Sequence, residues 1–547
     1  MPDVIPRPRL LREGNGTLAL TAEATVAADD LLRPALRRLR RQLQDCTGFE
    51  LPAVDDPVAA TIHLREVEAL PAEGYRLIID HTQVRVEAAD PRGALHAVQT
   101  LLQLLPPQVY RRATVRRVEW LIPQLVIEDE PAFVWRGVML DVARHFLPKH
   151  DVLRFIDLLA MHRLNTFHWH LTDDQGWRVQ VRRFPRLTQI ASWRSETVVG
   201  AGPRGVPDGR PHGGFYTQDD IREVVAYAEE RGVTIVPEID LPGHSQAAIA
   251  AYPHLGLHPD RRVQVRTGWG VSDDVLNLEE DTVTFFCAVL DELLELFPGE
   301  YIGIGGDECP KGPWRCDART QELLRQRGLA DEQQAQSWFM SRLSDHLAAR
   351  GRKAFGWDEL LEGTVPDGTL IASWRGMTGA LAAVRRGLDV VACPDSPVYL
   401  DYRQSADPEE PIPVGVINDL RRVYGFRPIP DEATPEQAER VRGGQGNIWT
   451  EHIDSARAVD YFAFPRVAAL AEVLWSGPGG DFDDFDRRLQ SHVRRLDEFG
   501  VDYRHRAGPH PWQRRPGVPG RPESDDERAL LIDALVSSIN RPEGRPG

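Results

Sequence analysis

Two patterns of apolar positions divide the chain. Over residues 1–125, short alternating apolar runs and two amphipathic stretches predict a small α+β domain. Its expected strands are 17–21, 61–64, 75–79 and 84–88, and its expected helices are 31–43 and 93–105. Because no stretch here pairs catalytic residue types, we expect this domain to support the rest of the chain.

From Trp135 onward, short apolar strands alternate with amphipathic helices, which predicts a parallel sheet. The expected strands are 135–142, 165–170, 234–239, 301–305, 353–357, 370–374, 388–393 and 444–449. The expected helices are 151–162, 218–231, 281–297, 331–350, 376–387 and 458–475. The fold class is therefore α/β, with a (β/α)8 TIM barrel over 130–505 that follows the small α+β domain.

Two segments fall outside this alternation. Residues 198–214 are rich in Gly and Pro and are expected to form a long loop near the barrel mouth. Residues 506–547 form a tail rich in Pro and Arg, with a short helix over about 525–539 and a frayed end. We expect this tail to be a packing helix or a disordered extension.

Polar and aromatic residues stand at or just after the C-terminal end of every predicted barrel strand. They are Asp141, Arg144, His168, His170, Asp173, Asp174, Glu238, Asp240, His244, Asp307, Glu308, Trp357, Asp358, Trp374, Tyr399, Asp401, Trp449 and Glu451. The C-terminal ends of barrel strands are where catalytic residues lie. A barrel with a purely structural role would not need carboxylates and tryptophans on one rim.

Two adjacent carboxylates, Asp307 and Glu308, follow the break at Gly305-Gly306. Consecutive side chains past a strand end diverge, so the two can reach different atoms of one small ligand. A solvated acidic loop is the ordinary explanation for such a pair. The rest of the rim instead favours a role for them in a pocket.

The residue types on this rim suggest carbohydrate chemistry. Three tryptophans can enclose the apolar faces of a sugar ring, and an Arg with two further carboxylates can bind its hydroxyls. A Glu beside an Asp supplies general acid and base capacity. His168 and His170 with Asp173 could instead bind a metal. Without Cys ligands or a His-x-x-x-His helix, however, a pocket so rich in tryptophan is a poor metal site, and we expect none.

Composition excludes several classes of partner. Acidic residues number 82 against 65 basic ones, giving a net charge of −17. This charge argues against nucleic acid and anionic membrane partners. The five cysteines contain no Cys-x-x-Cys pair, which suits a reducing compartment. We find neither a secretory leader nor a run of 18 apolar residues, so we expect a cytoplasmic protein.

Several long motifs, in order, resemble β-N-acetylhexosaminidases of glycoside hydrolase family 20. They are Arg136–Phe146 (RGVMLDVARHF), Leu164–Arg178 (LNTFHWHLTDDQGWR), Val236–His244 (VPEIDLPGH), Gly305–Glu308 (GGDE), Gly356–Glu359 (GWDE), Tyr399–Asp401 (YLD), Trp449–Glu451 (WTE) and Phe464–Arg466 (FPR). The resemblance extends to the first domain through Glu73–Leu77 (EGYRL) and Gln99–Leu104 (QTLLQL), which are similar to the small domain that precedes the barrel in this family.

The resemblance implies an exo-acting retaining enzyme that removes terminal GlcNAc or GalNAc from an oligosaccharide without a metal or organic cofactor. The substrate's own acetamide would be the nucleophile, forming an oxazolinium ion. Glu308 would be the general acid and then the base, while Asp307 and Tyr399 would hold the acetamide. Arg144, Asp401 and Glu451 would bind the ring hydroxyls. Trp357, Trp374 and Trp449 would enclose the ring. Asp173, Asp240 and His244 would support the general acid.

One position departs from the family pattern. Gly303 stands where the family often has His, two residues before the Gly-Gly pair, and so puts the local support of the acidic pair in question. Two other functions stay open: a related exo-glycosidase that releases a disaccharide, and a non-catalytic sugar-binding barrel. The sequence does not decide between GlcNAc and GalNAc, and it says nothing about the oligomeric state.

Overall fold

The computed structural model describes residues 2–114 and 116–539. The N-terminal domain is built on one six-stranded sheet. In spatial order its strands are Leu10–Ala19, Leu121–Asp129, Tyr75–Ile79, Val84–Ala88, Ile62–Glu66 and Val26–Ala28. The first strand starts seven residues before the predicted 17–21, and we did not predict Leu121–Asp129. Leu10–Ala19 is an edge strand whose middle is exposed, so it lacks the apolar alternation that prediction relies on.

Two helices, Arg33–Thr47 and Pro91–Leu104, pack together against this sheet. Pro91–Leu104 is buried on nearly all sides, because it lies between the sheet and the barrel. Its Gln103 donates to the Met161 carbonyl of a barrel helix at 3.4 Å. The N-terminal domain therefore shares a core with the barrel.

An ionic cluster joins the two parts at the floor of the barrel. The fully buried Arg136 guanidinium lies 2.5 Å from a Glu73 carboxylate oxygen, and His96 lies 3.2 Å from the same oxygen. Burial alone would raise the pKa of Glu73, but His96 and Arg136 outweigh it and lower that pKa well below its usual range. Arg136 is thus a floor ion pair, at the end of the barrel opposite to the rim residues.

Eight parallel strands close into a barrel in sequence order, which confirms the predicted fold. They are Trp135–Asp141, Thr166–His170, Thr234–Leu241, Tyr301–Gly305, Lys353–Trp357, Leu370–Ser373, Val390–Ala392 and Val441–Ile448. The main helices around and after them are Lys149–Met161, Gln218–Glu229, Glu280–Leu296, Lys311–Cys316, Ala318–Arg327, Glu332–Ala348, Thr378–Arg385, Ala456–Ala463, Arg466–Ser476 and Phe482–Phe499.

One predicted helix needs correction, and one observed helix was not predicted. The helix expected over 458–475 is two helices, which break at Phe464-Pro465 because proline cannot donate the next helical hydrogen bond. We did not predict Phe482–Phe499. Its apolar positions recur at 482, 485, 489, 493 and 496, a helical spacing that its many charged residues obscured. No helix within the described residues is long and apolar enough to cross a membrane.

The 198–214 loop and the tail both pack near the barrel mouth. The loop contains the short strands Val198–Val199, Val206–Pro207 and His212–Gly213, and Trp269 donates to the Val198 carbonyl at 2.8 Å. In the tail, Arg521–Pro522 pairs with Val414–Gly415, and helix Asp525–Val536 follows. The tail therefore packs against the rest of the protein through residue 539, as expected of a packing helix and not of a disordered extension. The predicted frayed end falls in 540–547, outside the described residues.

Candidate active site

The predicted rim residues form one connected group at the C-terminal ends of the barrel strands. Asp173 connects Arg144 to His244, and His244 faces both Asp307 and Glu308. Trp449 connects Arg144 to Trp357 and Tyr399, and Tyr399 stacks on Trp374. Asp240 lies beside Asp307, and Asp401 beside Glu451. No predicted site residue lies away from this group.

The turn after strand Tyr301–Gly305 gives the two carboxylates different exposures. The Asp307 side chain is 10% exposed and faces inward, whereas the Glu308 side chain is 41% exposed. Gly305 has φ +72°, and a Cβ there would lie within bonding distance of an Asp240 carboxylate oxygen, so only glycine fits. Glu308 itself has φ +44°, a left-handed conformation that costs about 1–2 kcal/mol for a residue with a side chain. Strain of this kind is concentrated at functional sites.

His244 joins the acidic turn to a buried carboxylate. Its Nδ1 lies 3.1 Å from Asp173 Oδ1, and its Nε2 lies 3.5 Å from Glu308 Oε2 and 3.7 Å from Asp307 Oδ2. Burial opposes a charge on His244, but Asp173 and Glu308 outweigh it and raise its pKa well above the ordinary value. In return, the imidazolium outweighs the effect of burial on Glu308 and lowers the pKa of that carboxyl.

Asp307 and Asp240 form a second acidic pair beside this network. Burial raises the pKa of Asp307 to about 6, opposed by His244 and reinforced by the charges of Glu238 and Glu308. Burial and the nearby Asp307 raise the pKa of Asp240 well above its usual range. The raised pKa favours the protonated form of Asp240, which is the form that can donate a hydrogen bond to an ionised Asp307.

Arg144 connects the acidic network to the aromatic side of the rim. Its guanidinium lies 2.8 Å from Asp173, 3.2 Å from Asp141 and 3.6 Å from Glu451, and 5.0 Å over the Trp449 ring. Glu451 lies beyond hydrogen-bond distance of Arg144 and its side chain is 29% exposed, so its carboxylate can accept from a further donor. The buried Oδ1 of Asp401 accepts no hydrogen bond from the described residues, and burial followed by the nearby Glu451 raises the pKa of Asp401.

The three predicted tryptophans and Tyr399 form one aromatic wall. Trp357 lies 5.8 Å from Trp449, and Trp374 is stacked on Tyr399 at 6.3 Å with an interplanar angle of 22°. Trp374 Nε1 donates to both oxygens of Glu359, at 3.1 and 3.2 Å. Such a wall presents apolar faces of the kind that pack against a sugar ring.

Two supporting residues were not among the predicted site residues. Glu359, the last residue of the Gly356–Glu359 motif, fixes the Trp374 indole. Gln175 accepts a hydrogen bond from Arg144 Nε at 3.1 Å and donates to the Gly268 carbonyl. Its position directly after Asp173-Asp174 was the available signal, but an uncharged amide in a loop did not stand out.

The Gly303 departure is explained by Glu238. The two residues are register partners on adjacent strands, and a Cβ at Gly303 would lie 2.7 Å from the Glu238 Cβ. Glu238 Oε2 is held at 3.0 Å from His168 Nε2 and at 2.5 Å from His170 Nδ1. The space next to Gly303 is thus filled by a buried carboxylate that binds two histidines, and the missing side chain leaves no void.

The same contacts show what the two histidines considered as metal ligands, His168 and His170, bind in the structure. His170 binds Glu238 through Nδ1 and Asp173 through Nε2, at 3.0 Å, so both ring nitrogens already have partners. Burial opposes a charge on this ring, but Glu238 and Asp173 raise the pKa of His170 to about 10. A protonated imidazole has no lone pair for a metal. The donor set fits an ion-pair network better than a metal site.

Comparison with known families agrees with this geometry. The sequence profile described as "Glycosyl hydrolase family 20, catalytic domain" matches residues 133–478, and that of "Glycosyl hydrolase family 20, domain 2" matches residues 1–130. The chain belongs to glycosyl hydrolase family 20. The resemblance read from the motifs is therefore confirmed, and the floor cluster around Arg136 joins the family's two domains.

Relatives within family 20 cover most of the chain. A "Beta-hexosaminidase" of Porphyromonas gingivalis is 39% identical over 92% of this chain and 64% of its own length. A "Beta-N-acetylhexosaminidase" of Cellulomonas fimi is 32% identical over 91% of this chain and 96% of its own. The chain thus spans a little under two thirds of the Porphyromonas protein.

Solved structures of family 20 share the fold. An exo β-N-acetylglucosaminidase from Vibrio harveyi, in complex with N-acetylglucosamine, has a TM-score of 0.80 at 34% identity, covering 92% of this chain and 78% of that one. A β-N-acetylhexosaminidase from Streptomyces coelicolor has a TM-score of 0.79 at 32% identity, covering 95% and 99% of the two chains.

Proposed function

We propose that this protein is an exo-acting, retaining β-N-acetylhexosaminidase that removes terminal β-linked GlcNAc or GalNAc from oligosaccharides. The observation that carries the proposal is the placement of Asp307 and Glu308. They are adjacent on one turn, both within 3.7 Å of His244, with Asp307 turned inward and Glu308 half exposed. Family membership and the names of the relatives support the same activity.

Adjacent carboxylates favour an internal nucleophile. An enzymic nucleophile would lie across the scissile bond, about 5–5.5 Å from the acid. Asp307 instead stands beside Glu308 on the same turn, where it can accept a hydrogen bond from the substrate's acetamide N–H. Its negative charge then stabilises the oxazolinium ion that forms when the acetamide oxygen attacks the anomeric carbon.

Each proton has a donor and an acceptor in this scheme. Glu308 gives its proton to the leaving oxygen as the bond from that oxygen to the anomeric carbon breaks. Tyr399 donates a hydrogen bond to the acetamide oxygen and keeps it aimed at that carbon. Glu308 then takes a proton from water, which attacks the anomeric carbon and opens the oxazolinium ring. Two displacements at one carbon retain its configuration.

The remaining rim residues select the sugar. Arg144, Asp401 and Glu451 bind ring hydroxyls through charge-assisted hydrogen bonds, which are about twice as strong as neutral ones. Trp357, Trp374 and Trp449 exclude water from the ring and the acetamide methyl. The chemistry needs no metal and no organic cofactor.

A panel of nitrophenyl glycosides tests the proposal. We expect turnover of the N-acetyl-β-glucosaminide or N-acetyl-β-galactosaminide, no turnover of the β-glucoside that lacks the acetamide, and inhibition by a thiazoline analogue of GlcNAc. Turnover of only a disaccharide glycoside would mean that the enzyme releases disaccharides and not single N-acetylhexosamines. Sugar binding without any hydrolysis would mean a non-catalytic barrel, and failure of the thiazoline to inhibit would refute the internal nucleophile.

A further inference from the structure

The backbone on both sides of the acidic pair is bound from outside the pocket. Gln336 Nε2 donates to the Gly306 carbonyl, directly before Asp307, at 2.6 Å. Lys311 Nζ donates to the Cys309 carbonyl, directly after Glu308, at 3.1 Å. Lys311 also donates to Gln336 Oε1, so the two side chains form a single brace across the turn.

This brace acts on a turn that needs support. Gly306 has φ +104° and Glu308 has φ +44°, so the chain passes through two left-handed residues within three positions. A left-handed residue with a side chain persists only where its surroundings hold it in place. The brace grips the peptide carbonyls that flank this segment, and it contacts neither carboxylate.

The brace is rigid because both of its ends are anchored. Gln336 is 2% exposed and lies on helix Glu332–Ala348, which packs against strands Tyr301–Gly305 and Lys353–Trp357. Lys311 begins helix Lys311–Cys316, and its ammonium lies 5.7 Å from the centroid of the Trp314 ring, which is fully buried. Lys311 is one of three lysines in a chain whose other basic residues are arginines. The compact ammonium carries three donors, and it uses two of them on the Cys309 carbonyl and Gln336 Oε1.

We propose that Gln336 and Lys311 are positioning residues that hold the Glu308 carboxyl where it can protonate the leaving oxygen. The inference rests on the proposed function, and it assigns neither residue any contact with substrate. If it is correct, loosening the brace disturbs proton delivery more than sugar binding, because Arg144, Asp401, Glu451 and the tryptophans stand on other strands.

The dependence of kcat/KM on the leaving group distinguishes this role from a merely structural one. An aglycone that is a good leaving group departs without a proton, whereas a poor one depends on the general acid. We therefore compare aryl N-acetyl-β-glucosaminides with leaving groups from dinitrophenol to plain phenol, measuring kcat/KM for wild type and Gln336→Met. The substitution keeps the side-chain length and removes both hydrogen bonds of the amide. Gln333→Met, half-buried on the same helix and outside the brace, is the matched control.

We expect Gln336→Met to lose about 10- to 100-fold in kcat/KM on the phenyl glycoside, the scale of a misplaced catalytic group, and less than about threefold on the dinitrophenyl glycoside. The inhibition constant of GlcNAc should stay within about threefold. Gln333→Met should match wild type on every substrate.

Two results would overturn the inference. An equal loss on all leaving groups would make the brace a general structural contact, and no loss would make it dispensable. If Gln336→Met does not fold, the half-buried Lys311→Met takes its place, and the same pattern of losses is required of it. Lack of wild-type turnover on every glycoside would instead refute the proposed function itself, which is a distinguishable outcome.

Discussion

Replacing Asp173 by Asn tests whether the buried ion network controls the general acid. Asp173 is 1% exposed and lies within 3.1 Å of three cationic groups, on Arg144, His170 and His244. The substitution keeps the shape and removes the charge. Arg144 keeps Asp141 and Glu451, and His170 keeps Glu238. The uncompensated loss is therefore concentrated at His244, whose other near carboxylates are the adjacent Asp307-Glu308 pair and Asp174, the last at 3.7 Å.

The expected loss in kcat/KM follows from the one ion pair, between Asp173 and His244, that the substitution leaves uncompensated. One hydrogen bond to a charged group contributes about 1.5–3 kcal/mol, which is about 10- to 150-fold in kcat/KM at about 1.36 kcal/mol for each factor of ten. Without Asp173, the pKa of His244 falls. Asp173 acts on Glu308 in two opposing ways, since its own charge raises the pKa of Glu308 while the His244 imidazolium that it stabilises lowers that pKa.

The assay is the pH profile of kcat/KM on an aryl N-acetyl-β-glucosaminide, together with thermal unfolding. We expect the loss above and a Glu308 ionisation displaced from its wild-type pH. Asp460→Asn is the control, because it removes a buried carboxylate that binds Arg154 on the barrel exterior, at 2.7 and 2.8 Å. That variant should lose stability and keep its pH profile. A profile for Asp173→Asn that matches wild type, with kcat/KM within threefold, would refute the network argument.

Three further predictions concern single groups. Glu308→Gln should lower kcat by about 10²–10⁴ at neutral pH while GlcNAc still binds; a smaller loss would contradict its role as acid and base. The pKa of Asp307 is raised to about 6 while that of Glu308 is lowered, so above about pH 6 the pair holds no proton for the leaving oxygen and kcat/KM should fall as pH rises through about 6. Asp307→Asn should lower turnover and abolish that limb, which a pH–rate series will check. Gly303→Ala should destabilise the fold by about 1–3 kcal/mol, since its Cβ meets Glu238, and denaturant unfolding measures this.

The sequence by itself determined the architecture and predicted the residues that gather at the rim. Alternating strands and helices from Trp135 predicted the barrel, and the residues following each strand predicted the rim, because parallel strands of a barrel end at one face. The run Gly305-Gly-Asp-Glu308 marked the centre of that rim. These features are encoded in short stretches, where period and spacing are enough to read them. Boundaries were less certain at Pro465 and along the exposed edge strand 10–19.

Only the tertiary structure decided which side chains support which. Gly303 opposes Glu238 through strand register, and the carboxylate that fills its space lies 65 residues earlier in the chain. Asp173 faces three cations supplied by three different strands and loops, while Gln336 reaches Gly306 from a helix 30 residues downstream. The tail packs on Val414–Gly415. Such contacts depend on register and on the packing of distant segments, which no local pattern of apolar and polar residues specifies.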